Sequence, residues 1–326
     1  MNDGHNRAIH YLRVSVTDRC NFRCAYCMPP RGVKWLPRAE ILTYEELLRL
    51  IAVFSREGIR NVRLTGGEPL VRKGIVGFVA AVKGLGMIED LSLTTNGSLL
   101  PQYAVALKAA GLDRVNISLD TVDPAGFAKV TRCGCVKDTL LGITSALEAG
   151  LAPVKINVVL TDALSITDLA FFIDQVKRYP IAVRFIERMP LGGQDDPDSG
   201  PDIAAVKRLL EEAGHGRLEP ADTKGNGPAR YWRLPESQGT FGFITPISEH
   251  FCGACNRLRL TADGRLRPCL LSDREIDIRT PLRAGASDAD LAALFAAAVR
   301  AKPQGHSLCR TSGYIGFGRQ MSQIGG

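Results

Sequence analysis

The chain has 326 residues, of which 45% are hydrophobic and 23% are charged, so it is long enough for one large core or two domains. No stretch approaches about eighteen uninterrupted apolar residues, and residues 1–5 lack the layout of a secretion signal. We therefore expect a cytoplasmic protein without a membrane segment. Lys and Arg outnumber Asp and Glu by 41 to 34, and this net charge of +7 suits an anionic partner. Because no run of five or more basic residues occurs, the sequence disfavours nucleic acid as that partner.

Short β-branched runs, each followed by an amphipathic stretch, recur along the first part of the chain. One such stretch, 44–57, begins after Thr43 and has Glu46 three residues later, a capping box that predicts a helix. The repeat predicts parallel β/α units, but the pattern alone does not distinguish a full barrel, a partial barrel and a doubly wound sheet. The six predicted strands are 11–17, 61–65, 90–95, 114–119, 154–160 and 182–186.

Polar and glycine-rich segments follow these strands directly. In parallel β/α folds, ligands bind at the carboxyl ends of the strands, so the sequence predicts a site there. The segments are 17–20, 66–69, 95–97, 118–120 and 187–190.

The regular alternation fades after Pro190, which divides the chain into a β/α core at 1–190 and a second region at 191–326. The second region contains a second cysteine group. It is also predicted to contain a loop at 192–201, a helix at 203–213, turns around 226–228, and a helix at 289–301 capped by Asp288 or a neighbour.

The cysteines Cys20, Cys24 and Cys27 form a C-x3-C-x2-C loop. In a reducing compartment, clustered thiols indicate metal ligands rather than disulfides. A structural zinc site uses four ligands, and the closest histidine is His10 upstream. An iron-sulfur cube held by three thiolates leaves its fourth iron open to a small molecule. The spacing favours such an open cluster over three structural cysteines, without excluding zinc.

A second group, spaced C-x2-C-x13-C, consists of Cys252, Cys255 and Cys269 in an Arg-rich stretch interpreted as a loop. Two incomplete sites favour two separate cubes over one six-cysteine zinc cluster, because each group already has a compact spacing. The remaining cysteines are interpreted as bystanders, since isolated cysteines commonly act as small core hydrophobes; they are Cys133, Cys135 and Cys309.

The first cysteine loop, with Tyr26 between its last two cysteines, resembles the signature of the radical S-adenosylmethionine enzymes. The Gly-Gly-Glu-Pro segment at 66–69 resembles the second motif of that superfamily. Together with the second cysteine group, the Cys-Asn-Arg-Leu-Arg segment at 255–259 and the terminal 325–326 glycine pair, the chain resembles the GTP 3',8-cyclase family, also called molybdenum cofactor biosynthesis protein A. The resemblance implies a lyase with an incomplete, TIM-like (β/α)6 barrel. Its open side would be covered by a C-terminal region that carries a second Fe-S cluster.

The cofactors implied by this resemblance are two [4Fe-4S] clusters and S-adenosyl-L-methionine. The open iron of the first cluster would chelate S-adenosylmethionine, whose reductive cleavage gives a 5'-deoxyadenosyl radical. Tyr26 would lie against the adenine, and the Gly67 backbone would receive the methionyl amino group. Ser118 and Met189 would complete the pocket, although Met189 alone would be a core residue in most proteins.

The substrate implied by the resemblance is GTP, converted to (8S)-3',8-cyclo-7,8-dihydroguanosine 5'-triphosphate in the first step of molybdenum cofactor biosynthesis. The radical would abstract the ribose 3' hydrogen, and the C3' radical would attack guanine C8. The second cluster would bind the guanine, with Arg257, Leu258 and Arg259 beside it. A triphosphate also needs cations, and the implied anchors are Arg13, Arg63, Lys155 and Arg184, with Thr94 adding a hydroxyl.

A double glycine at a chain end is usually a frayed tail. The resemblance implies instead that Gly325 and Gly326 thread into a narrow polar pocket, with the terminal carboxylate near Arg13. Both glycines would then act in catalysis with Arg13, Arg257 and Arg259. It also implies a reductant such as flavodoxin or ferredoxin, a downstream cyclic pyranopterin monophosphate synthase, and a homodimer.

Two other functions compete with this interpretation. A peptide-maturing radical S-adenosylmethionine enzyme would usually carry more auxiliary cysteines. A zinc-stabilised nucleic-acid-binding protein would explain the cysteines and the positive charge, but not the polar residues at the strand ends. Metal content separates the zinc protein from both radical enzymes, because the enzymes contain iron with sulfide and the zinc protein contains zinc alone.

Overall fold

Six parallel strands, each followed by one or two α-helices, form the centre of the protein in a computed structural model that describes residues 1–189, 200–306, 308 and 319–325. The six predicted strands are confirmed, with ends that differ by at most two residues. The strands are β1 (Tyr11–Ser15), β2 (Asn61–Thr65), β3 (Asp90–Thr95), β4 (Arg114–Ser118), β5 (Lys155–Val159) and β6 (Ala182–Ile186). The helices between and after them are α1 (Tyr44–Arg56), α2 (Ile75–Gly84), α3 (Leu100–Ala109), α4 (Pro124–Thr131), α5 (Val136–Glu148), α6 (Ile166–Arg178) and α7 (Ile203–Gly214).

Local sequence explains where these helices begin. Thr43 caps α1, because its side chain accepts a hydrogen bond from the Glu46 amide at 3.2 Å while the Glu46 carboxylate accepts one from the Thr43 amide at 2.7 Å. This is the predicted capping box. The helices pack on the sheet through apolar faces such as Leu47, Leu50 and Phe54 of α1, which are fully buried. The hydrophobic core therefore lies between sheet and helices, and the opposite face of the sheet is free to carry polar groups.

The C-terminal region adds strands to both edges of this sheet. The complete order is β12-β11-β10-β1-β2-β3-β4-β5-β6-β9-β8-β7, with β10 parallel to β1 and β9 parallel to β6. The protein is thus a partial barrel, as implied by the resemblance, but the C-terminal region flanks both edges. The added elements are β7 (Glu219–Ala221), β8 (Arg230–Arg233), β9 (Thr240–Ile244), β10 (Arg257–Leu260), β11 (Arg265–Arg267), β12 (Ile276–Asp277), α8 (Arg279–Arg283), α9 (Asp288–Arg300) and α10 (Met321–Ile324).

The second region contains both of its predicted helices and a strand that was not predicted. The helices predicted at 203–213 and 289–301 are confirmed as α7 and α9, and the cap of α9 is Ser287, a neighbour of Asp288. The interpretation of the Arg-rich cysteine stretch as a loop is wrong for β10, which pairs with β1. Most of the predicted loop, 192–199, lies outside the described residues. In the part of the chain that the structure describes, no helix is long and apolar enough to cross a membrane.

Candidate active site

One cavity of about 340 Å³ contains both cysteine groups. Its walls come from the carboxyl ends of the parallel strands and from the C-terminal region. The predicted site residues that line it are Arg13, Cys20, Cys24, Tyr26, Cys27, Arg63, Gly67, Thr94, Ser118, Arg184, Met189, Cys252, Cys255, Arg257, Arg259 and Cys269. Residues about 225 positions apart in the sequence thus face one another, and this supports the prediction of a single site.

The first cysteine group lies on a loop held by backbone hydrogen bonds. Cys24 O accepts from the Cys27 amide at 2.9 Å, and the Arg23 and Ala25 amides donate to the end of α4. Burial raises the pKa of Cys20 and of Cys27 to about 12, so both are protonated thiols when no metal is bound. Metal binding must therefore release these protons.

The two glycines of the 66–69 motif allow the cysteine loop to approach β2. A Cβ atom on Gly66 would lie 2.6 Å from Thr17 O, and one on Gly67 would lie 2.7 Å from Asp18 O. At this distance Gly67 N donates to Thr17 O at 2.7 Å, and Glu68 N donates to Arg19 O at 2.8 Å. An amide N–H cannot accept a hydrogen bond from an ammonium, so the carbonyl oxygen is the Gly67 backbone group that could do so.

Tyr26 is fixed by a carboxylate that the sequence did not single out. Its hydroxyl donates to Asp120 Oδ2 at 2.8 Å, and the Val159 amide donates to Asp120 Oδ1 at 2.8 Å. Burial raises the pKa of Asp120 to about 6, and burial together with the Asp120 charge raises that of Tyr26. The available signal was its place in the polar segment 118–120 at the end of β4.

Glu68 is a second buried carboxylate at the site. Its two oxygens accept hydrogen bonds from Thr95 Oγ1 at 2.8 Å and from the Asn96 amide at 2.7 Å. Burial raises the pKa of Glu68 to about 7. The Glu68 side chain therefore joins the end of β2 to the end of β3.

A row of arginines crosses the cavity wall. Arg259, Arg13 and Arg63 are partners in register on β10, β1 and β2. Burial, with repulsion from neighbouring guanidinium groups, lowers the pKa of Arg63 and of Arg259 to about 10. Buried cations that repel one another favour an anionic ligand, because its charge would relieve the repulsion.

Polar atoms without partners lie beside this row. Arg184 Nη2 donates to Asn116 Oδ1 at 2.7 Å, but Arg184 Nε and Thr94 Oγ1 are buried without a hydrogen-bond partner in the described part of the chain. Both residues line the cavity. Unsatisfied buried donors are costly, so a ligand with acceptor oxygens would stabilise this wall.

Leu258 and Lys155, two predicted substrate contacts, are not among the residues that line this cavity. The Leu258 side chain is fully buried in the hydrophobic core, because alternation along β10 directs it away from Arg257 and Arg259. Lys155 is buried and donates to Tyr231 Oη at 3.1 Å and to Lys224 O. Burial and the charge of Arg184 lower the pKa of Lys155 to about 6.

The C-terminal tail contacts Arg259, one of the arginines in the row on β10, β1 and β2. Arg259 Nη1 donates to Gly325 O at 3.1 Å. Gly325 has a φ of 79°, and a Cβ atom there would lie 2.8 Å from Thr65 Oγ1. Only glycine suits this conformation and space. Gly326, whose carboxylate is expected near Arg13, lies outside the described residues.

The second cysteine group differs electrostatically from the first. Burial opposes ionisation of Cys255, yet the charges of Arg257 and Lys302 lower its pKa to about 6. Lys302 also lines the cavity and was missed from the sequence, since nothing in its local pattern distinguishes it. The extra cysteines Cys133 and Cys135 are exposed rather than core residues, and Cys309 lies outside the described residues.

The donor set fits a cluster better than a single ion. Among residues 1–189, 200–306, 308 and 319–325, no three His, Cys, Asp or Glu side chains converge on a point suited to one metal ion. Each group offers three thiols, which match three corners of a cube. A closed tetrahedral zinc site would need a fourth ligand at the same point. By the number of its donors, each group fits an open cluster.

Comparisons with known proteins agree with this geometry. Residues 14–176 match the Radical SAM superfamily, and residues 181–308 match the family described as Molybdenum Cofactor Synthesis C. The chain is 55% identical over 328 residues to a GTP 3',8-cyclase of Heliobacterium modesticaldum and 50% identical over 333 residues to one of Desulforamulus reducens, with 100% of each chain covered. The chain belongs to the GTP 3',8-cyclase family.

The fold of this GTP 3',8-cyclase family member also occurs in a distant solved structure. Streptococcus suis SuiB bound to S-adenosylmethionine superimposes with a TM-score of 0.62 at 16% identity, over 87% of this chain and 67% of that one. At this identity the likeness shows a shared fold. Family membership confirms the resemblance inferred from the cysteine motifs and agrees with neither competing function.

Proposed function

We propose that this chain is a radical S-adenosylmethionine lyase that converts GTP to (8S)-3',8-cyclo-7,8-dihydroguanosine 5'-triphosphate in molybdenum cofactor biosynthesis. One observation carries this proposal: two three-cysteine groups line a single cavity together with a row of arginines, of which Arg63 and Arg259 are buried and Arg13 is half-buried. The curated relatives with full coverage are named for this cyclisation.

The first cysteine group would hold a [4Fe-4S] cluster with S-adenosylmethionine. When bound, this pair supplies a 5'-deoxyadenosyl radical. Gly67, Ser118 and Met189 line the cavity, and the Gly67 carbonyl oxygen would accept from the methionyl ammonium. Tyr26 is held by Asp120 at 2.8 Å, so its ring is fixed before a ligand binds. Such preorganisation lowers the cost of orienting the cofactor.

GTP would lie between the arginine row and the second cysteine group. Arg63, Arg184 and Arg13 would bind the triphosphate, whose charge relieves the repulsion described above. The second group would hold another [4Fe-4S] cluster, with Arg257 and Arg259 near the guanine. Fixing both ends of the nucleotide orients the ribose toward the first group.

The proposal extends to partners and location. Reductive cleavage consumes an electron, so a carrier such as flavodoxin or ferredoxin must supply it. The cyclised nucleotide would be passed to cyclic pyranopterin monophosphate synthase. We place these steps in the cytoplasm and propose a homodimer on the basis of the family resemblance.

The test begins with metal analysis of protein purified without oxygen. We expect iron and sulfide for two clusters and negligible zinc. With dithionite, S-adenosylmethionine and GTP, we expect 5'-deoxyadenosine to form as GTP is lost. Zinc without sulfide, or 5'-deoxyadenosine formation indifferent to GTP, would refute the proposed function.

A matched pair of variants tests the triphosphate site. In Arg184→Met a buried cation of the cavity is lost, and removal of a charged contact worth about 1.5–3 kcal/mol should raise the KM for GTP about 10- to 150-fold. Arg208→Met removes an exposed cation from α7 and should change nothing. Equal KM values for the two variants would exclude the arginine wall from substrate binding.

A further inference from the structure

The second cysteine group is held by two buried cations that are not metal ligands. Lys302 is 4% exposed, and its Nζ donates to Arg257 O at 2.7 Å and to Pro268 O at 2.9 Å. Arg257 follows Cys255 by two residues, and Pro268 directly precedes Cys269. One ammonium group therefore fixes the backbone beside two of the three cysteines.

Arg7 fixes the third cysteine. It is 7% exposed, and its Nη1 donates to Cys252 O at 2.8 Å and to Gln304 O at 2.9 Å. Its charge is balanced, because Asp3 Oδ2 lies 2.6 Å from the guanidinium. Arg7 thus joins the amino-terminal segment to the cysteine loop as part of a neutral ion pair.

Lys302 differs from Arg7 in its charge balance. In the described part of the chain no carboxylate lies within salt-bridge distance of its Nζ. Its Nζ bonds backbone carbonyls of the segments that carry Cys255 and Cys269. A buried cation needs a counter-charge, and the thiolates of a cluster bound at these segments would provide it.

A cation beside a thiolate-bound cluster affects its redox behaviour. Reduction adds negative charge, so a nearby ammonium stabilises the reduced form more than the oxidised one. The positive charge therefore raises the reduction potential of the cluster.

We propose that Lys302 is the positioning residue that joins the Cys255 and Cys269 segments and raises the reduction potential of the second cluster, whereas Arg7 acts only on geometry. This role rests on the proposed function, because it requires a cluster at the second group. It concerns one electron taken up by that cluster and involves no other bond change.

The experiment uses full-length protein in which Cys20, Cys24 and Cys27 are replaced by Ala, so that only the second group binds iron. Redox titration followed by electron paramagnetic resonance gives the potential in this background. Lys302→Gln keeps N–H donors without the charge, Lys302→Met removes both, and Lys302→Arg keeps the charge. Arg7→Met is the geometric comparator.

We expect Lys302→Gln and Lys302→Met to shift the reduced-to-oxidised ratio at a fixed potential about tenfold toward oxidised, or about 59 mV for one electron. Lys302→Arg should stay within about twofold of the parent, and Arg7→Met should lose iron without a shift in the clusters that remain. An unchanged potential in Lys302→Gln would overturn the inference. Equal shifts in Lys302→Gln and Lys302→Arg would also overturn it. These two variants keep the test available if Lys302→Met does not bind a cluster. Absence of iron from the parent background would instead refute the proposed second cluster.

Discussion

Replacing Gly67 with Ala should separate the cysteine loop from β2. The added Cβ atom would lie 2.6 Å from Arg19 C and 2.7 Å from Asp18 O, and these backbone atoms can move only if the loop moves. The move would break two hydrogen bonds, Gly67 N to Thr17 O at 2.7 Å and Glu68 N to Arg19 O at 2.8 Å. Lost bonds and overpacking together cost about 3–5 kcal/mol.

Gly77 provides the matched control. It is exposed within α2, and a Cβ atom there would meet nothing within 4 Å. Gly77→Ala should stabilise the protein by about 1 kcal/mol through helix propensity. Urea denaturation of the metal-free proteins measures both changes.

The same substitution should impair the first metal site. Cys20 directly follows the displaced Arg19, so the Gly67→Ala protein should load iron for one cluster rather than two and should not cleave S-adenosylmethionine. If Gly67→Ala unfolds within about 1 kcal/mol of the parent and loads both clusters, the close approach does not determine the site and the reasoning is refuted.

Three further changes have defined outcomes. Deleting 325–326 should abolish cyclisation while sparing S-adenosylmethionine cleavage, and full GTP turnover by the truncated protein would contradict the role of the tail. Asp90→Ala leaves Arg114, which is 1% exposed and bonded to Asp90 at 2.8 Å, without its counter-charge, and should cost about 3–5 kcal/mol in urea denaturation. Asp288→Ala removes a surface carboxylate that pairs with Arg49 and Arg56, and should cost at most about 2 kcal/mol. Burial lowers the pKa of Lys155 from 10.5 to about 6, so the unfolded chain binds more protons between these values and stability should rise with pH across them. The free energy of unfolding of Lys155→Met should show a smaller slope over the same range, and an equal slope would exclude Lys155 as the cause.

Sequence was sufficient for the parts of the fold that depend on local pattern. The six central strands and the α1 capping box depend on short-range periodicity and side-chain chemistry, and both are confirmed. The strand β10 was missed because proximity to cysteines suggested a loop, although the Arg-Leu-Arg-Leu alternation is typical of a half-buried strand. The same alternation explains why Leu258 points away from the cavity.

The site could be predicted only where residue type and spacing carry the chemistry. Both cysteine groups were found in this way, whereas the arginines were implied by the family resemblance, and the structure brings both sets to one cavity. Lys302 and Arg7 could not be found, because their roles depend on contacts with residues up to 297 positions away. The cover over Lys155 could not be predicted, because a strand pattern does not show what packs on the strand, here the segment around Tyr231.

Because β1 pairs with β10, the central sheet can be completed only late in synthesis of the chain. Tyr11 pairs with Arg257, so one edge of β1 stays open during synthesis until residues near 257 have left the ribosome. The outer edge of β6 likewise stays unpaired until β9 has been synthesised. Open edges of parallel strands invite pairing with other chains. A protein shortened to residues 1–190 would keep both edges open permanently, so the part of the chain that carries the first cysteine loop depends on the later part for its solubility.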